Sequence, residues 1–233
     1  KLNRSIVVYT ERIIGNPLNA PHVVRYFGNK EGALNGGLSI NMGPSDFVLA
    51  HSRILHPNPD AVLFFSAVNP LFRGQGDVAL HERTVNLTYV GKAHLYGGVC
   101  EIENTRLITR DDPSTKKELA ELLGKARFVF FFDSLTQLMV EAIVSGAIPV
   151  IVTYYPYSED EIDAIETGPI PRASLQDIEA SEGNVSFKEP AMLERYLKQR
   201  DEYLQRLNAA ERNYSQSAGD FLEKVEKHFS GRV

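Results

Sequence analysis

A chain of 233 residues, 43% hydrophobic, can bury one large or two small cores, since domains of about 100 to 150 residues are commonest. Its formal charge of -5 supplies no concentrated basic surface of the kind that draws nucleic acid or anionic lipid, so nucleic acid is not an expected partner. No apolar run reaches the roughly 18 to 20 residues of a membrane span, the N-terminus lacks the apolar centre of a signal peptide, and Cys100 is the only cysteine, which leaves neither an intramolecular disulfide nor a thiolate metal cluster. A cytoplasmic setting is the expectation, and the Asn-x-Ser/Thr matches at Asn3, Asn86, Asn184 and Asn213 are then incidental.

In chain order, "SIVVYT" (5 to 10) reads as a buried strand and "APHVVRYFGN" (20 to 29) as a helix. "DFVLA" (46 to 50) and "AVLFFSA" (61 to 67) read as further strands. Pro, Gly and mixed charge in "NPLFRGQGDVALHE" (69 to 82) mark a domain boundary. Beyond it, strands over 84 to 91, 105 to 110, 126 to 133 and 147 to 155 alternate with helices over about 114 to 123 and 134 to 145. That alternation predicts right-handed crossovers and a parallel sheet covered on both faces. From Pro190 two helical runs follow, one with Leu193, Tyr196, Leu197, Leu204 and Leu207 on a stripe, the other with Phe221, Leu222, Val225 and Phe229. The expected division is 1–78, 79–210 and a terminal helix over 211–233.

Parallel sheets bind ligands beyond the carboxyl ends of their strands, where loops run into helix N-termini that suit phosphate. The stretch "FFDSLTQLMVEAIVSGAIPVIV" (131 to 152) has that form. Asp133 ends a strand, Ser134 and Thr136 open a helix, and Leu135, Leu138, Met139, Ala142, Ile143 and Gly146 face the sheet, with Gln137 and Glu141 off that stripe. Gly146 and Pro149 stop the helix and return the chain to a strand. Two carboxylates would flank an anion site.

These residues resemble the E-x7-E signature of retaining GT-B glycosyltransferases, broadly the family 4 type found among bacterial surface-polysaccharide enzymes. Here Asp133 is followed by seven residues and then Glu141, Ala142, Gly146, Pro149 and Val150, with Asp where the family has its first Glu. The resemblance implies that Glu141 holds the nucleotide ribose, that Ser134, Leu135 and Thr136 line the diphosphate and sugar pocket, and that Asp133 sits near the reacting centre. "TYVGKAHLY" is similar to the family's first strand of the nucleotide-binding domain, where a basic residue after the glycine neutralises the diphosphate; Gly91 and Lys92 match it. "RLITRDDPSTKKELAELLGKARFVFFFD" resembles the succeeding strand, loop, helix and strand, and Arg110 opens that loop. More loosely, "IVVYTERIIGNPLNAPHVVRYFGN" resembles a segment of such enzymes, which would bring Asn16, Asn19 and His22 to the acceptor side of the cleft.

The implied fold is α/β and GT-B-like: two Rossmann-like parallel-sheet domains facing a cleft, the N-terminal one short or incomplete, with C-terminal helices packing across. The implied reaction is metal-independent transfer of a sugar from a nucleotide-sugar donor to a glycan or lipid-linked acceptor, with retention at the anomeric carbon and no cofactor. Peripheral membrane or polysaccharide-assembly partners at the inner face of the membrane belong to the same expectation.

Each residue also has a plainer reading. Asp133 serves equally as a helix cap, and Glu141, Lys92, Arg106 and Arg110 as solvated charges. "RDDP" is a divalent-ion site or, more simply, Asp112 as N-cap, Pro113 as the first helical residue and a capping box from Thr115 to Glu118. "NPLNAPH" is a Pro-stiffened turn, and Tyr154, Tyr155 and Tyr157 are packing residues or a sugar-stacking surface. His51, His56, His81 and His94 show no metal-ligand spacing and read as structural. Two other functions fit the pattern: a nucleotide-sugar epimerase, which needs an acid and base on both faces of the sugar, and a catalytically degenerate binding or scaffold module.

Overall fold

The computed structural model describes residues 5–76, 78–95, 97–181 and 184–230. It is a mixed α/β protein that divides into two compact units. The first comprises 1–66, 164–167 and 208–233, the second 67–163 and 168–207. The division therefore falls twelve residues before the expected boundary at 78 and assigns the C-terminal stretch to the first unit, an interleaving that composition along the chain does not reveal.

The first unit holds a four-stranded parallel sheet in the order β1 (Ile6–Thr10), β2 (His22–Phe27), β3 (Phe47–Ala50) and β4 (Ala61–Val62). The expected helix over 20 to 29 is instead β2. Its residues "HVVRYF" are β-branched or aromatic and stiff at χ1, and their pairing on both edges, Val23 with Val7 and Arg25 with Val48, overrides an apolar spacing that fits either form. The strand expected over 61 to 67 stops at Val62. On one face, Val24, Phe47, Leu49 and Ala61 pack with Val225 and Phe229 from the end of the chain. Arg25 is fully buried in β2: it donates to Asp46 at 2.6 Å and to the carbonyls of Ile13 and Gly15, and lies over the Tyr9 ring. A buried guanidinium survives because carboxylate, carbonyls and ring replace its water.

The second unit carries a five-stranded parallel sheet, β5 (Val85–Tyr89), β6 (Arg106–Ile108), β7 (Ala126–Phe131), β8 (Ile148–Ile151) and β9 (Ala173–Ser174), in the spatial order β6-β5-β7-β8-β9. Its central strands β7 and β8 are near-continuously apolar and buried, as in a sheet covered on both faces. Phe128, Phe130, Ile148 and Val150 pack against a hairpin of β10 (Ile178–Ser181) and β11 (Asn184–Phe187), and against Tyr196, whose hydroxyl donates to the Ala147 carbonyl. The two helical runs predicted after Pro190 form one continuous helix, α4 (Pro190–Ser230). Leu222, placed on its packing stripe, is instead 58% exposed.

Helix α2 (Lys116–Lys125) starts three residues later than an Asp112 cap would give. Thr115 is the N-cap, with the reciprocal Thr115 and Glu118 bonds of a capping box, whereas Asp112 pairs with Arg106 at 3.1 Å. A short helix not foreseen, α1 (Pro70–Arg73), packs on α2 and α3 (Gln137–Val144). Helix α3 ends in a Schellman motif: the Gly146 N–H donates to the Ile143 carbonyl and the Ala147 N–H to that of Ala142, with Gly146 at φ +83°. Arg83, 3% exposed and unremarked in the sequence, donates to the carbonyls of Gln75, Val78, Leu123 and Ala126. Two of those carbonyls lie at the carboxyl end of α2, where the helix dipole is negative.

Candidate functional site

The strand order of the second unit defines where a ligand would sit. From β5 the chain winds outward to β6 and then returns to place β7 on the other side of β5, so the topological switch point lies between β5 and β7. Open parallel sheets bind ligands in the crevice at that point, beyond the strand carboxyl ends. The loop after β5 carries Gly91 and Lys92, and that after β7 carries Asp133 to Thr136. Two stretches forty residues apart in sequence are thereby brought together.

Asp133 is 1% exposed. Its Oδ2 accepts the Lys92 backbone N–H at 3.1 Å, and the Lys92 ammonium stands 3.7 Å away. Its Oδ1 is buried and has no hydrogen-bond partner among the described residues. Burial pushes the carboxyl above its ordinary range, opposed by the charge of Lys92, by the Lys92 N–H that donates to it and by the nearby Leu135 N–H. Asp133 thus holds the Lys92 N–H, which an anionic ligand would otherwise meet. Gly91 makes the approach possible: at φ +56° it lies in the left-handed region, and a Cβ there would stand 2.7 Å from Asp133 Oδ2 and from Tyr89 Cε1.

Tyr89, the last residue of β5, is a member of this cluster that sequence reasoning passed over. Burial, and then the Asp133 charge, raises the pKa of its hydroxyl, and Arg110 and Thr136 beside it oppose that shift. Tyr89 thus has Arg110, Thr136 and Asp133 near its ring. The signal was present in "TYVGK", where a polar aromatic ends a buried strand just before the glycine.

Ser134 is fully buried and its hydroxyl reaches the Tyr157 carbonyl at 3.4 Å. Leu135 is half-buried, and Thr136 is the α3 N-cap without a side-chain cap bond. Glu141, expected off the sheet-facing stripe, lies in the second turn of α3 and is only 8% exposed. Helix α3 is buried all the way from Leu138 to Val144, and α1 lies against it, the Ser145 hydroxyl donating to the Phe72 carbonyl. Burial raises the Glu141 pKa, with the charge of Lys116 opposing it. A carboxyl whose folded pKa is raised loses stability as pH climbs from the unfolded value through the folded one. Glu141→Gln should therefore raise the midpoint of thermal unfolding at pH 7 and leave it unchanged near pH 3, as scanning calorimetry at the two pH values would read.

The residues offered for the acceptor side have structural partners in the first unit. Asn16 accepts from Tyr9 and the Ala20 N–H and donates to the Ala20 carbonyl, closing the loop between β1 and β2. Asn19 sits at φ +48° in that turn. His22, the first residue of β2, packs its ring on Phe229 at 4.9 Å; its Nδ1 has no bond among the described residues. The trio lies at the amino end of β2, opposite the carboxyl edge that parallel sheets use for ligands.

The three tyrosines separate into different environments. Tyr157 is buried, Tyr155 is 55% exposed, and Tyr154 bonds Glu159 and Arg172. A cavity of about 520 Å³ opens beyond the carboxyl ends of β8 and β9, lined by Thr153, Tyr154, Glu159, Arg172, Ser174 and Asp177 among others. Arg172 is held by Asp163 at 2.7 Å and by Glu159 at 3.2 Å. Among the described residues no group of three or more His, Cys, Asp or Glu is placed to hold a metal, and no helix is long and apolar enough to cross a membrane.

No protein family, curated protein or solved structure matches this chain.

Proposed function

We propose that the chain is a retaining glycosyltransferase of the GT-B kind, moving a sugar from a nucleotide-sugar donor to a glycan or lipid-linked acceptor. The observation that carries this reading is the juxtaposition, at the switch point of the second sheet, of Gly91 and Lys92 with Asp133 and the entry to α3, eight positions ahead of Glu141. Transfer requires charge to build on a leaving diphosphate while the sugar becomes cationic. Lys92 and Arg110 supply positive charge for the first, the amides over 134 to 136 at the entry to α3 add the positive end of its dipole, and the diphosphate would compete with Asp133 for the Lys92 N–H. Asp133 stands where a cationic sugar would gain from a carboxylate. Glu141 is assigned to the ribose hydroxyls.

A second reading, a nucleotide-binding module without transfer, is favoured by the burial of Asp133 and by the employment of the Ser134 hydroxyl on Tyr157. Calorimetric titration with UDP, GDP, dTDP and CMP tests the part both readings share. One nucleotide should bind, and Glu141→Ala should weaken it by about 1 to 3 kcal/mol, the cost of a lost charged hydrogen bond. Absence of binding by any of the four to the folded protein would sink both. Nucleotide release from the matching donor, accelerated by an acceptor glycan, then selects transfer over the module.

A further inference from the structure

Asp133 occupies the place where an anion would be expected. Its Oδ2 accepts the Lys92 N–H at 3.1 Å and faces the Lys92 ammonium at 3.7 Å, with the Leu135 N–H nearby at the entry to α3. A loop amide, a lysine and the amide end of a helix are groups with which proteins hold phosphate. The space is also filled. Asp133 is 1% exposed, and the loop after β5 closes on it so tightly that a methyl group on Gly91 would lie 2.7 Å from Oδ2 and 2.8 Å from Cβ. A phosphate cannot join this arrangement beside the carboxylate; it can only take the carboxylate's place. One atom is left over. Oδ1 is buried and has no hydrogen-bond partner among the described residues, an arrangement that native folds seldom keep without a use.

We propose that Asp133 is the site's own stand-in for a phosphate group, and that a nucleotide enters by exchange, displacing the carboxylate from Lys92 while Asp133 takes up one proton from solvent. For its ligand this rests on the nucleotide reading given above. The exchange follows from charge. Once Lys92 turns to the phosphate, a buried carboxylate would face a diphosphate without its cation, which a low-dielectric setting strongly disfavours. The proton removes that repulsion, and on Oδ1 it gives the orphaned atom a hydrogen to donate to a phosphate oxygen. Burial already pushes the carboxyl up and the charge of Lys92 is the chief influence holding it down, so withdrawal of Lys92 favours the acid further. Of the other groups around it, Tyr89 at the end of β5 is uncharged at pH 7, and Arg110, from the loop after β6, stands against Tyr89. A cationic sugar beside the same carboxyl would draw it back to the ionised form, so entry and transfer ask for opposite charge states.

Calorimetry of the full chain with UDP, GDP, dTDP and CMP, run in two buffers of different ionisation heat, tests it beside Asp133→Asn. The nucleotide that binds should bring close to one proton more into the wild type than into the variant, which keeps the shape of the side chain and lacks its charge. The variant should also bind that nucleotide at least about five-fold more tightly at pH 8, with the gap closing towards pH 5.5, because proton uptake favours binding as pH falls. Equal proton counts, or equal or weaker binding by the variant at pH 8, overturn the proposal and leave the nucleotide reading intact. If none of the four binds either protein, the nucleotide reading falls, and the exchange is judged with inorganic pyrophosphate on the Lys92 amide resonance. A shift that Asp133→Asn reaches at lower concentration then supports it, and no shift in either protein overturns it. Even where Asp133→Asn fails to fold, the wild type answers: a bound nucleotide must move the Lys92 amide resonance, and one that leaves it in place overturns the proposal.

Discussion

Gly146→Ala is expected to cost the protein about 3 to 5 kcal/mol of stability, among the larger effects a single methyl group can have. Two penalties add. The residue lies at φ +83°, where a Cβ is disfavoured by roughly 1 kcal/mol. That Cβ would also press on the Arg83 guanidinium, with the Gly76 carbonyl 3.3 Å away on another side. Arg83 cannot retreat without releasing its bonds to Gln75, Val78, Leu123 and Ala126, and a buried charged donor left unmet costs about 1.5 to 3 kcal/mol or more. Urea denaturation measures the loss, and a change below about 1 kcal/mol would show that Arg83 relaxes freely. Because both penalties meet at one guanidinium, Gly146→Ala and Arg83→Met should combine to less than their sum.

Gly91→Ala should abolish nucleotide binding, by at least about 100-fold or roughly 2.7 kcal/mol, while leaving most of the fold in place. The new methyl group would occupy the space of Asp133 Oδ2 and the Tyr89 ring edge. Either the loop after β5 withdraws, taking the Lys92 N–H and ammonium with it, or Asp133 is expelled and Tyr89 loses its setting beside Thr136 and Arg110. Both responses take apart the switch-point cluster. Calorimetry on this variant beside Glu141→Ala separates the loop from the helix: unchanged affinity in Gly91→Ala would place the nucleotide elsewhere on the sheet.

The site of the second unit was legible because its signals are local. A strand, a short turn, a helix and a Gly-x-x-Pro return all fall within "FFDSLTQLMVEAIVSGAIPVIV". Helix α3 begins at Gln137 and not at 134, because Asp133 to Thr136 form the turn that leads into it. The burial of Glu141 was not legible, since α3 is covered all along Leu138 to Val144 and one of the elements packed on it, α1, is a single turn of helix inside what reads as a Pro- and Gly-rich linker. Strand β2 was misread as a helix because four apolar residues within "HVVRYF" carry no decisive period, and neighbouring strands alone settle the matter. Arg83 and Arg25 were silent for a related reason. A buried arginine looks like any other until the carbonyls that surround it are known, and those come from segments far along the chain.

The interleaving of the units also sets an order of events during synthesis. Strands β1 to β4 emerge first, but the face formed by Val24, Phe47, Leu49 and Ala61 is covered by Val225 and Phe229, which are made last. At about 5 to 20 residues per second, the ribosome leaves this apolar face without its partner for about 10 to 30 s. During that interval the second unit, whose last residues end at Leu207, has all it needs to close. The part of the molecule made first is thus the part finished last, and a nascent chain stalled before residue 221 would present an open parallel sheet to whatever chaperone or neighbouring chain reaches it.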